Sequence, residues 1–308
     1  MSQPFVLSAA AAREYPYKGN FFDVNGGRMH VLDEGPADGS PLVCVHGNPT
    51  WSFYYRRVVE RFSPEYRVVV PDHIGCGFSD KPQDWPYQLA DHVNNLVQVI
   101  EDLDLQDITL MVHDWGGAIG MGAATRMPER FKRFVVTNTA AFRSLAIPPS
   151  IATCRIPVFG SLAVRGFNGF SRVATIRAAS RPLPQAAKDG LTAPYNSWAN
   201  RIATLRFVED IPLKASHPSY AELHRIEDGL AGLRDRPMML CWGEDDFCFT
   251  PKFREEWQQR FPEARVHAWD GVGHYVLEDA PQRTLAAMER FFAANPLHAE
   301  TVTGAGEE

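Results

Sequence analysis

Leu110-Met111-Val112-His113-Asp114-Trp115-Gly116-Gly117 is an apolar run that ends abruptly in a carboxylate, with paired glycines and a helix-forming stretch behind it. A strand that turns sharply into a helix presents the residue at the turn, here Asp114, as a nucleophile elbow does. Ligands of open parallel sheets bind at the carboxyl ends of strands, where Asp114 lies. The helix that follows points its N-terminal amides and its dipole at the same place, which suits a carboxylate. A plain N-cap for that helix is the competing reading of Asp114. The paired glycines weigh against it, because a simple cap needs no close backbone approach.

In serine hydrolases the elbow reads G-x-S-x-G, with a small residue two places before the nucleophile. Here Val112 takes that place and Asp114 replaces the serine, which moves the expected chemistry towards attack by a ready-made carboxylate. An unperturbed Asp ionises near about 3.9, so such a nucleophile needs no base to charge it at neutral pH. Attack on an sp³ carbon would leave a covalent ester, and turning that over by hydrolysis needs an activated water.

Strands and helices alternate around the elbow. Phe21 to Asn25 and Arg28 to Glu34 read as strands joined at Asn25-Gly26-Gly27, a hairpin signal. Strands are expected at Pro41–Val45, Tyr66–Val70, Ile108–Val112, Phe134–Thr137, Met238–Trp242 and Arg265–Trp269. Helices are expected at Trp51–Phe62, Ala90–Leu105, Gly116–Met127, Ala221–Leu233, Lys252–Arg260 and Gln282–Ala293. This order predicts an α/β fold with a mostly parallel, eight-stranded sheet flanked by helices. The alternation stops at 141–213, a stretch broken by Pro and Gly, which reads as a helical cap inserted into a core of 1–140 and 214–308. Met1 to Ala12 reads as a loosely ordered lead-in, and the residues after Pro296 as a disordered tail.

At 308 residues, 45% apolar and 22% charged, the composition is that of a globular enzyme. A net charge of −6 gives no electrostatic support for nucleic-acid binding. No apolar run reaches transmembrane length, and the N-terminus lacks the basic flank of a signal peptide. Five cysteines without CxxC spacing argue against a disulfide framework or a zinc site and fit a reducing cytoplasm. Cys44 and Cys241 lie in apolar runs as small hydrophobes, while Cys76 and Cys248 are the ones that could react. No metal and no cofactor are expected.

His274, in the glycine-flanked loop after the last strand, is the candidate base, a role worth roughly 10²–10⁴ in rate. Glu244, Asp245 and Asp246 follow the strand Met238–Trp242 and offer acids to orient it. The corresponding position after Phe134–Thr137 is Asn138-Thr139 and holds no carboxylate. Asn48, in His46-Gly47-Asn48-Pro49, and Trp115 carry side-chain N–H donors that could hold a leaving halide or a carboxylate oxygen. Their backbone N–H groups could form an oxyanion hole. His46 and His113 lack a metal-ligand pattern, and Arg56-Arg57 and Glu101-Asp102 read as solvated helix faces. The aromatics Phe159, Phe167, Phe170, Tyr195 and Trp198 either line a pocket or pack the cap onto the core.

Together these residues resemble the haloalkane dehalogenases of the α/β-hydrolase fold, from Tyr17 to Asn295. The spacing in related hydrolases places the acid three residues after Gly243, at Asp246. The resemblance implies Asp114 as nucleophile, His274 as base, Asp246 as its partner, and Asn48 with Trp115 on the halide. Epoxide hydrolases share His-Asp-Trp-Gly-Gly but usually carry an apolar residue where Asn48 stands. A closer likeness is to a sister branch, the β-lactone decarboxylases of bacterial long-chain olefin biosynthesis. It is carried by Pro71-Asp72-His73-Ile74-Gly75-Cys76-Gly77-Phe78-Ser79-Asp80-Lys81-Pro82, Asn138-Thr139-Ala140-Ala141-Phe142, Asp246-Phe247-Cys248-Phe249 and His274-Tyr275-Val276-Leu277-Glu278-Asp279-Ala280. That likeness implies conversion of a cis-3,4-dialkyl oxetan-2-one to a cis-alkene and carbon dioxide, a small apolar substrate, and assembly with other olefin-pathway enzymes. Dehalogenation of a haloalkane is the alternative within the same chemistry, and a non-catalytic binding protein on this fold is a second.

Overall fold

The computed structural model describes residues 4–297. Its strands are β1 Asn20–Val24, β2 Gly27–Glu34, β3 Pro41–Val45, β4 Arg67–Pro71, β5 Ile108–Asp114, β6 Phe131–Thr139, β7 Met238–Gly243 and β8 Arg265–Trp269. They form one sheet in the order β1-β2-β4-β3-β5-β6-β7-β8. β2 runs antiparallel to β1 and β4, and the remaining pairs are parallel. The helices are α1 Ala9–Glu14, α2 Arg56–Phe62, α3 Leu89–Asp102, α4 Trp115–Arg126, α5 Pro149–Thr153, α6 Phe159–Ser161, α7 Gly169–Arg177, α8 Gln185–Thr192, α9 Ile202–Glu209, α10 Tyr220–Gly229, α11 Pro251–Arg260, α12 Val276–Asp279 and α13 Pro281–Ala294.

The two-residue period of the strands sorts their side chains into two apolar layers. Val43, Val45, Leu110, Val112, Val136 and Leu240 join α3 and α4 on one face. Leu42, Cys44, Met111, Val135, Met239 and Cys241 join α2 and α13 on the other. Both faces are covered, which is why these strands read as continuous apolar runs. Burying one such side chain is worth about 1.5–3 kcal/mol, against about 0–1 for a surface ion pair. The two layers therefore hold the scaffold, and the many surface Arg–carboxylate pairs add little.

The elbow sits at the centre of this sheet. Asp114 ends β5 with φ 52° and ψ −129°, a conformation that an L-residue occupies only when its surroundings impose it. α4 can begin immediately because Gly116 lies against the Val45 carbonyl, where a Cβ would collide with backbone. Val112, larger than the usual elbow residue, is accommodated from the helix: a Cβ on Gly120 would meet its side chain at 2.7 Å.

Several expectations are corrected. Met1 to Ala12 is not wholly a loose lead-in: α1 begins at Ala9, Ala11 and Tyr15 are buried, and the Phe5 ring stacks on Phe78 at 4.5 Å. The helix expected from Trp51 is a 3₁₀ turn over Ser52–Tyr55 followed by α2. Arg56 does not face solvent. It is buried, donates to Glu278 at 2.6 and 3.0 Å and to Glu14 at 2.8 Å, and so ties α2 to α12. The tail after Pro296 lies almost wholly outside the described residues. Between β6 and α10 the chain leaves the sheet and forms α5 to α9, of which α5, α7 and α9 share a cavity with the strands' carboxyl ends. Among the described residues, no helix is long and apolar enough to cross a membrane.

Candidate active site

β5, β7 and the loop after β8 bring Asp114, Asp246 and His274 together. His274 Nδ1 donates to Asp246 Oδ2 at 2.8 Å, and its Nε2 faces Asp114 Oδ2 at 3.6 Å. The Asp114 Oδ1 accepts the Asn48 backbone N–H at 2.6 Å. The neighbouring Trp115 backbone N–H also favours the charged form of the Asp114 carboxylate. The Asn48 amide, which would belong to an oxyanion hole for a substrate carbonyl, thus holds the protein's own carboxylate.

Burial raises the Asp114 carboxyl above its ordinary value, opposed by the charge of His274 and the two backbone N–H groups. Burial pushes the His274 imidazole down, but the charge and hydrogen bond of Asp246 and the charge of Asp114 outweigh it. The His274 pKa therefore stands above its ordinary value. An Asp246→Asn substitution keeps the shape and removes the largest opposing charge. We expect His274 then to titrate below the unperturbed imidazole value. Its ring ¹⁵N shifts followed by NMR through a pH series check this; an unchanged midpoint would mean that Asp246 is not the controlling group.

Sequence reasoning passed over Asn138, which is not merely a position without a carboxylate. Its Nδ2 donates to Asp246 Oδ2 at 2.9 Å and to the Gly243 carbonyl at 3.0 Å, and its Oδ1 accepts the Gly243 N–H at 2.8 Å. With the Cys248 N–H on Oδ1 at 2.7 Å, both oxygens of Asp246 are satisfied and its side chain is fixed. The available signal was an amide at the carboxyl end of β6, near the acid that follows β7. Thr139 adds a hydroxyl bond to the Asp114 carbonyl, and Phe249 lies flat beside His274 at 5.7 Å and 18°. Glu244 and Asp245 are not in the cluster; Glu244 pairs with Arg254 instead.

The flanking histidines are neutral spacers. His113 Nε2 donates to the His274 carbonyl at 2.9 Å, and His46 Nδ1 donates to the Gly47 carbonyl at 2.8 Å. Burial lowers both pKa values. Neither Cys76 nor Cys248 is an activated thiol, since burial pushes Cys76 up to about 12 and Cys248 well above the usual thiol value. Among the described residues, no group of three or more His, Cys, Asp or Glu is placed to hold a metal ion.

Asn48 and Trp115 both line the cavity above Asp114, which encloses about 1110 Å³ including its open mouth. One Asn48 Nδ2 hydrogen bond goes to the cap, to the Thr204 carbonyl at 3.1 Å, so the amide does not point all its donors at the pocket. The walls are largely apolar, with Leu89, Ala118 and Phe142 from the core and Phe170, Ala174 and Val208 from the cap. Of the cap aromatics, Phe170 lines the cavity, Tyr195 is buried, and Phe159, Phe167 and Trp198 are exposed.

A strained elbow at the centre of this sheet, a cap over it and a histidine after the last strand define an enzyme of the α/β-hydrolase type with a carboxylate in the nucleophile's seat. The model of the alpha/beta hydrolase fold family matches residues 40–281. A cis-3-alkyl-4-alkyloxetan-2-one decarboxylase of Shewanella oneidensis is 43% identical, covering 90% of this chain and 88% of its own. Haloalkane dehalogenase 2 of Mycobacterium bovis is 32% identical, covering 90% and 96%. The crystal structure of haloalkane dehalogenase DbeA from Bradyrhizobium elkani superposes with a TM-score of 0.82 at 23% identity, covering 89% of this chain and 97% of its own. The chain belongs to the α/β-hydrolase fold family, in the branch of the cis-3-alkyl-4-alkyloxetan-2-one decarboxylases.

Proposed function

We propose that this enzyme converts a cis-3,4-dialkyl β-lactone to a cis-alkene and carbon dioxide, with Asp114 as nucleophile. What carries this reading to a first step is the engagement of the Asn48 backbone amide by Asp114 itself. With that amide engaged, the backbone offers a substrate carbonyl an incomplete oxyanion hole, and attack on the ring carbon bearing oxygen is favoured. Asp114 Oδ2 forms a bond to that carbon, the ring C–O bond breaks, and the substrate's carboxylate is released within the pocket. The carboxylate then leaves as carbon dioxide. Its C–C electron pair becomes the alkene bond, and the Asp114 ester bond breaks to restore the nucleophile. No water and no redox partner enter the balance.

Asn48 and Trp115, both on the cavity wall, would hold the released carboxylate, and the apolar walls favour its decarboxylation by withholding water. His274, whose two neighbouring carboxylates favour its protonated form, stabilises the charge returning to Asp114. The same geometry supports a second reading, haloalkane hydrolysis, because Asn48 and Trp115 could equally hold a halide and His274 could activate water on the ester.

Turnover in ¹⁸O-labelled water separates the two. A cis-β-lactone should yield alkene and leave the Asp114 peptide unlabelled by mass spectrometry. Fast release of bromide and alcohol from a bromoalkane, with label entering Asp114 and no alkene from the lactone, would overturn the proposal in favour of dehalogenation.

A further inference from the structure

The cap carries a surface that the chemistry in the cavity does not use. Apart from Val6, Phe21 and Phe247, every exposed large apolar side chain among the described residues falls between Leu145 and Trp198. Val158, Phe159, Leu162, Phe167, Val173 and Ile176 are each at least half exposed. They lie on α6, α7 and the π-helical turn Leu162–Gly166, which packs against both helices. Exposed apolar side chains gathered in this way mark an interaction surface rather than ordinary scatter.

Charge says what kind of surface. Residues 141–188 contain no Asp or Glu, although the whole chain has a net charge of −6. Arg172, Arg177 and Arg181 are exposed, and among the described residues none of their guanidinium groups forms an ion pair, although the Arg181 backbone N–H donates to Asp279. Arg172 and Arg177 stand on α7 beside Val173 and Ile176, so cations and apolar side chains share one outer face. A face that is apolar and predominantly cationic, with Asp189 and Asp279 only at its margin, is complementary to an interface of acyl chains and anionic headgroups. An acidic protein would match the cations but not the exposed phenylalanines.

α7 joins this face to the cavity. Phe170 and Ala174, with Ala178 just beyond the helix, point inward and line the pocket at four-residue spacing. Arg172 and Ile176 stand on the opposite side of the same helix, with Val173 and Arg177 on its flank, so one helix thickness separates the surface from the pocket.

We infer that the cap docks on a bilayer bearing anionic headgroups, lying on it through α6 and α7. The docking rests on the surface alone; that it lets a long-chain substrate pass from the bilayer into the cavity rests on the proposed lactone chemistry. Flotation of the full chain with vesicles tests the docking without any substrate. Binding is expected to vesicles of phosphatidylcholine mixed with phosphatidylglycerol, weakly or not at all to phosphatidylcholine alone, and to fall as salt rises. Each cation near such a surface contributes about fivefold in partitioning, so Arg172→Gln with Arg177→Gln should lose roughly 25-fold. Phe159→Ser with Phe167→Ser should abolish binding while thermal unfolding and turnover of a short-chain, water-soluble substrate stay as in the parent. No partitioning onto the anionic vesicles at low salt, or unchanged binding by both double variants, would overturn the inference. Self-association lost in the Phe variant, without vesicle binding by the parent, would overturn it by giving the face to a second copy of the chain. Failure of the lactone assay alone would leave the vesicle result standing and remove only substrate transfer.

Discussion

Asp114→Asn should stop alkene release from a cis-β-lactone, with a loss of roughly 10⁴-fold or more. The amide has nearly the shape of the carboxylate, and its Oδ1 can still accept the Asn48 N–H that holds Asp114 at 2.6 Å. What disappears is the charge and nucleophilicity of Oδ2, the oxygen that faces His274. The elbow should remain folded, because its strain is imposed by backbone contacts around β5, α4 and Thr139 rather than by the carboxylate. Alkene assays with intact-mass measurement check both points. Activity within tenfold of the parent, or a covalent adduct on the variant, would remove Asp114 from the nucleophile's role.

His274→Gln should slow alkene formation by about 10²–10⁴ and make a covalent intermediate visible. An adduct equal in mass to the lactone should accumulate on the Asp114 peptide, because the cation that stabilises the departing carboxylate is gone. A bromoalkane should leave only its alkyl group there. The pH profile of the parent separates the chemistries further. The His274 pKa lies above its ordinary value, so the imidazolium is present below that raised pKa and is lost as pH rises through it. Decarboxylation, which uses the cation, should therefore weaken on the alkaline side. Ester hydrolysis needs the neutral base and should strengthen there. Single-turnover rates across the pH range check this, and a lactone rate that climbs through the His274 titration would contradict the assigned role of the cation.

The sheet was legible because its strands obey a local rule. Pro41–Val45 and Ile108–Val112 are apolar on both faces since helices cover both faces. The elbow was legible because a carboxylate after an apolar run, backed by paired glycines, has few structural explanations. Asn138 was missed since its role depends on the register between β6 and β7, which brings Gly243 and Asp246 to it from more than a hundred residues away. Arg56 was misread for a similar reason: its partner Glu278 lies 222 residues on, and a pair of arginines on a helix looks solvated until that partner arrives. The cap resisted reading most. Its first elements, α5, α6 and the turn Leu162–Gly166, bury few side chains, and much of the apolar content there faces outward.

Val112 and Gly120 have a consequence for anyone redesigning the site. The side chain that one position gains is volume the other gives up, across the junction between β5 and α4. The two positions behave as a single steric unit whose ends lie eight residues apart, with Asp114 fixed between them. A library that varies them independently would spend most of its members on elbows that are overfilled or hollow. Paired choices of constant combined volume would keep Asp114 where it is while changing the wall behind it.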